Sequence, residues 1–285
     1  MIFLPQSLTD AWLLEDIQGG DLTTQSLGIG AQPGHITFFH RQGGCVSGIA
    51  AARQMLTSLG VSVTASVSDG EPVVAGQPLL CACGSAAALH QGWKAVQNVL
   101  EWSCGVSGYL ARMLELLRQR HPDGHIACTR KMIPGTKLLA TQAVQAAGGL
   151  IHRAGCSETI LLFANHRRFL PNANDWPAMV NQLRRHAPER KIVVEADTPD
   201  EALAALLAAP DCIQLDKFTP AQAANIARLA PSLAPACTLA LTGGITLATL
   251  PNYLDCGITL FVTSAPYYAP PADIKVRLEP DSPHQ

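Results

Sequence analysis

Residues 191–216 read KIVVEADTPDEALAALLAAPDCIQLD. An apolar run ends at Glu195, a Thr-Pro-Asp turn follows, an alanine-rich stretch comes next, and a second apolar run ends at Asp216. Strand, helix, strand is the repeating unit of a parallel sheet, and strands covered on both faces read as continuous apolar runs. The alanines suit a helix packed close against such a sheet. The same alternation extends in both directions. Strands are expected at 126–129, 159–163, 191–195, 212–215, 237–241 and 259–263, and helices at 137–147, 176–186, 199–208, 220–229 and 246–255. Repeated units of this kind predict a closed or nearly closed α/β barrel, with a doubly wound open sheet as the alternative.

The first hundred residues differ. Short β-like runs at 36–40, 44–49, 61–67, 72–74 and 79–82 are separated by Gly43-Gly44, Asp69-Gly70 and Gly76. A long helical stretch follows from 85 to 120, with breaks expected near Gly105 and Gly108.

Composition narrows the function classes. Of the 285 residues 48% are hydrophobic and 15% charged, which excludes a disordered chain. A net charge of −2 leaves no basic surplus for nucleic acid, and no apolar run is long enough to insert in a membrane. The N-terminal stretch carries acids where a secretory signal needs a basic start, so a cytoplasmic location is expected. Nine scattered cysteines suit reduced thiols better than a disulfide framework. Cys81-Ala-Cys83 lacks the second ligand pair of a zinc module.

In an α/β barrel the chemistry gathers at the C-terminal strand ends. Those ends carry Thr129-Arg130-Lys131, Ala164-Asn165-His166, Glu195, Asp216-Lys217, Thr242-Gly243-Gly244 and Thr263-Ser264. One charged residue after a strand is commonplace; the coincidence over several strands is not. Gly243-Gly244 precedes an expected helix, whose free N–H groups would form an anion site. With Arg130, Lys131, Arg153 and Lys217 nearby in the barrel order, a phosphorylated substrate is indicated. Glu195 and Asp216 offer hard oxygen ligands for Mg²⁺ bridging phosphates; the alternative is that they pair with those basic groups. His152-Arg153, after Gly148-Gly149, reads as a cationic pair, with a buried, hydrogen-bonded His152 as the alternative.

These residues carry a resemblance. Glu15-Asp16-Ile17 with Gly20-Asp21-Leu22-Thr23-Thr24, Thr129-Arg130-Lys131 with Pro134-Gly135, Gly148-Gly149 with His152-Arg153, Asn165-His166, Glu195, Leu215-Asp216 and Thr242-Gly243-Gly244-Ile245 resemble the quinolinate (nicotinate-nucleotide) phosphoribosyltransferases in order and spacing. The resemblance implies an N-terminal α/β sandwich-like domain (1–108), an incomplete TIM-like α/β barrel (109–267), and residues 268–285 packing on the first domain. It implies a homodimer whose active site is shared between one barrel and the partner's N-terminal domain. It also implies transfer of a phosphoribosyl group from phosphoribosyl pyrophosphate, with Mg²⁺, to a ring nitrogen. On this basis Lys131, Glu195, Asp216 and Lys217 are the expected catalytic residues, with Mg²⁺ near Glu195 and Asp216. Lys94, Arg130, His152, Arg153, Phe163, Asn165, His166, Thr242, Gly243, Gly244 and Ser264 are the expected substrate contacts.

The departures are equally informative. The family carries an arginine at Lys94, lysine-aspartate at Phe163-Ala164, an asparagine at Lys217, a glutamate at Ala240, and a glycine turn at 263–266. This drift looks like a paralogous branch associated with molybdate uptake systems. Phe163 replaces a cation with an apolar wall, and Lys94 lacks the bidentate fork of arginine. The expected acceptor is therefore less anionic and more aromatic or apolar than quinolinate. The other readings are a working quinolinate enzyme in NAD biosynthesis and a non-enzymatic, molybdate-related binding protein.

Overall fold

The computed structural model describes residues 2–281. Contacts divide the chain into two units: 1–111, 132–148 and 266–285 in one, and 112–131 with 149–265 in the other. Residues 282–285, part of the expected C-terminal packing segment, lie outside the described residues.

The first unit holds a four-stranded antiparallel sheet in the order Ile274–Pro280, Pro33–His40, Gln77–Ser85, Ser62–Ser66. Its alternating inward residues Ile36, Phe38, Leu80 and Ala82 pack with the helix Ile49–Ser58 and the start of the helix Ala86–Arg120 in one apolar core. Two expectations fail here. The run 44–49 is a strand only at Gly44–Cys45, and Ile49 already opens a helix. Its amide and that of Ala50 are capped by Asp69, 20 residues on. The long helix is unbroken from Ala86 to Arg120. Gly105 does not break it; a Cβ there would lie 2.6 Å from the Pro270 carbonyl oxygen, so the glycine permits a close approach. Cys81 and Cys83 sit on the Gln77–Ser85 strand, two residues apart on one face.

The second unit holds seven parallel strands, in the spatial order Leu150–Ile151, His125–Cys128, Leu260–Thr263, Thr238–Thr242, Cys212–Asp216, Ile192–Ala196, Ile160–Leu162. Read cyclically, this is sequence order. No reversal of strand order occurs, which removes the doubly wound alternative. The sheet stays open between Leu150–Ile151 and Ile160–Leu162, which follow one another in the chain and lie at opposite ends of the strand order. It is an incomplete TIM-like barrel.

Besides Ile274–Pro280 in the first unit, the sequence reading lacks one barrel strand, Leu150–Ile151. It has two residues, one of them 45% exposed, and leaves no apolar run to detect. The expected helix 246–255 is also absent; a single 3₁₀ turn, Leu250–Tyr253, stands there. Thr246 and Thr249 bond each other's backbone N–H through their hydroxyls, and the Thr249 hydroxyl donates to the Gly244 carbonyl. Such local side-chain bonds compete with helix formation.

Candidate active site

Side chains alternate along a strand, so cross-strand register decides which residues meet. Glu195 pairs with Gln214, Gln214 with Ala240, and Asp216 with Thr242. These five therefore share one face of the sheet. Ala127, Ala240 and Val262 form a small buried apolar cluster on it, which identifies the barrel interior.

At the strand ends this face becomes charged. Gln214 Nε2 donates to Glu195 Oε2 at 3.1 Å. Burial pushes the Glu195 carboxyl up to about 7, helped by the negative charges of Asp216 and Asp197; Lys131 and the Gln214 bond act the other way. Asp216 Oδ2 lies 3.0 Å from Lys217 Nζ. The four expected catalytic residues, Lys131, Glu195, Asp216 and Lys217, thus form one electrostatic group.

The backbone beneath that group is strained. Lys217 has φ 56°, uncommon for a side-chain-bearing residue, and its amide donates to the Thr242 carbonyl at 2.9 Å. Gly243 has φ 81°, and a Cβ on it would lie 2.5 Å from Asp216 Oδ1 and 2.6 Å from Lys217 Cγ. Only glycine lets the two strand ends close over the carboxylate. Gly244 has φ 75° but faces open space. The expected helix N-terminus behind this turn is corrected to the threonine-tied loop described above. No helix dipole acts here, and an anion would meet the backbone N–H groups alone.

The other side of the barrel end is built differently. Thr129 Oγ1 lies 2.5 Å from Ser264 Oγ, tying the His125–Cys128 and Leu260–Thr263 strand ends. Arg130 and Lys131 are exposed. His152 and Arg153, expected as a cationic pair, differ in surroundings. Burial, and then the Arg153 charge, hold His152 below its ordinary value. Its Nε2 is buried without a hydrogen-bond partner among the described residues. Arg153 is 6% exposed, donates to the Cys156 carbonyl at 3.1 Å, and is held down by burial and then by Arg130.

Phe163 stacks on His166 with ring centroids 5.7 Å apart, and His166 Nδ1 accepts from the Phe163 amide. Asn165 accepts from Arg168 at 3.2 Å and is exposed; among the described residues it makes no hydrogen bond to the carboxylate group. Lys94 belongs to the first unit, where Nζ donates to Gln97 Oε1 at 2.8 Å and lies 4.2 Å from the Trp93 ring centre.

The sequence reading misses Gln214 and Asp197. Gln214 was visible as a polar residue inside an apolar run, two before Asp216. Asp197 follows Glu195 at the same spacing. A cavity of about 540 Å³ adjoins the edge strand Ile160–Leu162; Arg153 and His166 line it together with Leu162, Met179, Leu183 and Arg190, and none of its lining residues belongs to the carboxylate group.

The half-barrel thus carries an acid–lysine group and a glycine turn at its C-terminal strand ends, the end at which α/β barrel enzymes hold their chemistry. Residues 21–104 match the description "Quinolinate phosphoribosyl transferase, N-terminal domain", and residues 106–277 its C-terminal domain. The chain belongs to the quinolinate phosphoribosyl transferase family and is a pentosyltransferase. A relative from Escherichia coli O6:H1, named ModD and described as a pyrophosphorylase, is 73% identical over 98% of this chain and 99% of its own. A Rhodobacter capsulatus protein of the same name is 39% identical over 87% of this chain and 95% of its own. The human carboxylating nicotinate-nucleotide pyrophosphorylase is 28% identical over 90% and 85%. The nicotinate-nucleotide pyrophosphorylase of Francisella tularensis shares the fold, with a TM-score of 0.87 at 21% identity, covering 97% of this chain and 98% of that one.

Proposed function

We propose that the chain transfers the phosphoribosyl group of phosphoribosyl pyrophosphate to the ring nitrogen of a heterocycle less anionic than quinolinate. The observation that carries this is the split at the barrel end. The acid–lysine group and the glycine turn stand together on one side, while Phe163 stacks on His166 on the other. In this reading the acceptor nitrogen attacks C1 of the ribose as pyrophosphate leaves, through an oxocarbenium-like transition state. Orientation and charge stabilisation on the leaving group supply the catalysis. Lys131 and Lys217 face the pyrophosphate, Thr242, Gly243 and Gly244 with Ser264 seat the 5′-phosphate, and Arg130, Arg153, His152, Asn165 and His166 surround the acceptor.

The residues present fit a Mg²⁺ ion held partly by substrate. Glu195 and Asp216 are close enough to raise the Glu195 carboxyl. Among the described residues, no group of three or more His, Cys, Asp or Glu side chains forms a self-sufficient metal site. Glu195 and Asp216 would hold the ion, which would neutralise phosphate charge.

The reading includes a homodimer in which Lys94 completes the partner's acceptor site, a cytoplasmic location, and the association with molybdate handling implied by the resemblance. No helix among the described residues is long and apolar enough to cross a membrane. Isothermal titration with phosphoribosyl pyrophosphate and Mg²⁺ tests the donor half: saturable binding is expected, and none at millimolar ligand would overturn the proposal.

A further inference from the structure

Gln214 is the one polar side chain in the middle of the Cys212–Asp216 strand, and it is 4% exposed. A buried amide needs partners for both its ends. Its Nε2 has one, Glu195 Oε2 at 3.1 Å. Its Oε1 is buried and has none among the described residues. An acceptor left unsatisfied inside a barrel costs stability, and an apolar side chain of the same shape would avoid that cost. Gln214 lies between Glu195 and Ala240 in register, one layer beneath Asp216 and Thr242, on the interior face. Ala240 is buried and contributes only a methyl group, so nothing on that side competes for the amide oxygen.

The chemistry of the missing partner follows from the site. A phosphate oxygen has no proton to give, so an anion is excluded. A cation could take the carbonyl oxygen as a ligand, but it would have to shed its water at that depth. The neighbouring layer of Ala127, Ala240 and Val262 makes a charged group costly there. A neutral O–H or N–H donor remains, and in the donor substrate proposed above that group is a ribose hydroxyl.

We propose that Gln214 recognises a ribose hydroxyl: its N–H₂ fixes the Glu195 carboxylate and its carbonyl oxygen accepts from the sugar. This rests on the phosphoribosyl donor proposed above. Gln214 is then a specificity residue for the sugar and does not itself touch pyrophosphate.

The test uses Gln214→Met, which keeps the shape and removes both polar ends, and Gln214→Asn, which keeps the amide one methylene short. Titrations with phosphoribosyl pyrophosphate and with inorganic pyrophosphate, each with Mg²⁺, compare ligands with and without the sugar. Both variants should lose about 3- to 10-fold more affinity for phosphoribosyl pyrophosphate than they lose for pyrophosphate. Thermal unfolding of Gln214→Met should be unchanged or raised, since an orphaned acceptor is gone. An equal loss for both ligands would mean that the residue acts through the cation or through general disorder, and would overturn the inference. Unchanged affinity for phosphoribosyl pyrophosphate in either folded variant would overturn it as well. Wild type that binds pyrophosphate but no phosphoribosyl pyrophosphate would remove the inference together with the donor reading.

Discussion

The two sides of the barrel end solve opposite problems. On the side of the Ile192–Ala196, Cys212–Asp216 and Thr238–Thr242 strands, charges are paired and the backbone is tight. Asp216 is held by Lys217, Lys217 takes a left-handed φ, and Gly243 closes over both. On the side of the His125–Cys128, Leu150–Ile151 and Ile160–Leu162 strands, the basic groups His152 and Arg153 have no carboxylate so close. His152 is held below its ordinary value by burial, and among the described residues Arg153 and His152 each keep a buried nitrogen without a partner. Phe163 and His166 form an aromatic pair there. Under the proposed function, the strained first side would take the highly charged donor and the second side the acceptor.

The largest effect should come from attacking the tight side. Gly243→Val puts a branched side chain at φ 81° and into the Asp216 carboxylate, 2.5 Å from where its Cβ would stand. Affinity for phosphoribosyl pyrophosphate should fall by about 100-fold or more, an effect of about 2.7 kcal/mol, as read by titration calorimetry. Gly244→Val, at φ 75° in open space, should bind measurably better than Gly243→Val and lose only modest stability, of order 1 kcal/mol. If the two variants behave alike, the glycine turn acts by flexibility and not by close approach.

A smaller effect should follow from altering the loose side. Phe163→Lys with Lys94→Arg restores one cation and one bidentate fork, and each charge-assisted hydrogen bond is worth about 1.5–3 kcal/mol at best. Quinolinate should bind at least about 10-fold tighter, with affinity for phosphoribosyl pyrophosphate unchanged. If the donor affinity changes equally, the two sides are not separable in the way described.

The smallest effect concerns pH. Glu195 ionises near 7 in the folded chain against 4.5 for an unperturbed group. The folded state therefore holds this proton more tightly than the unfolded one. The stability it contributes is fully present below pH 4.5 and is lost as pH rises through about 7. Denaturant unfolding in the presence of a chelator should show Glu195→Gln losing less stability than wild type between pH 5 and pH 8. Parallel pH profiles would show that the carboxyl is not strained by burial.

Much of this was legible in the sequence, and the contrast explains which parts were. All six expected barrel strands are apolar runs found within one residue of their expected bounds, and register alone then collects Glu195, Asp216 and Thr242 on one face. The one-residue shift of His125–Cys128 leaves Arg130 and Lys131 at its end. The Leu150–Ile151 strand was illegible because two residues carry no period. The helix at 246–255 failed because its apolar spacing was outcompeted by the Thr246–Thr249 hydroxyl bonds, a contest that propensity does not reveal. The charge state of His152 depends on burial beside Arg153, which only the fold brings about. Gln214 was readable as an anomaly, but its significance needs the register that sets it against Glu195.

The most direct test of the account is pyrophosphate release. The protein is mixed with phosphoribosyl pyrophosphate, Mg²⁺ and, in separate reactions, quinolinate or one of a set of neutral and singly charged nitrogen heterocycles. Release that depends on one of the less anionic acceptors, with quinolinate far slower, is the predicted result. Turnover of quinolinate at rates usual for enzymes, about 1–10³ s⁻¹, with no better acceptor in the set, would contradict it.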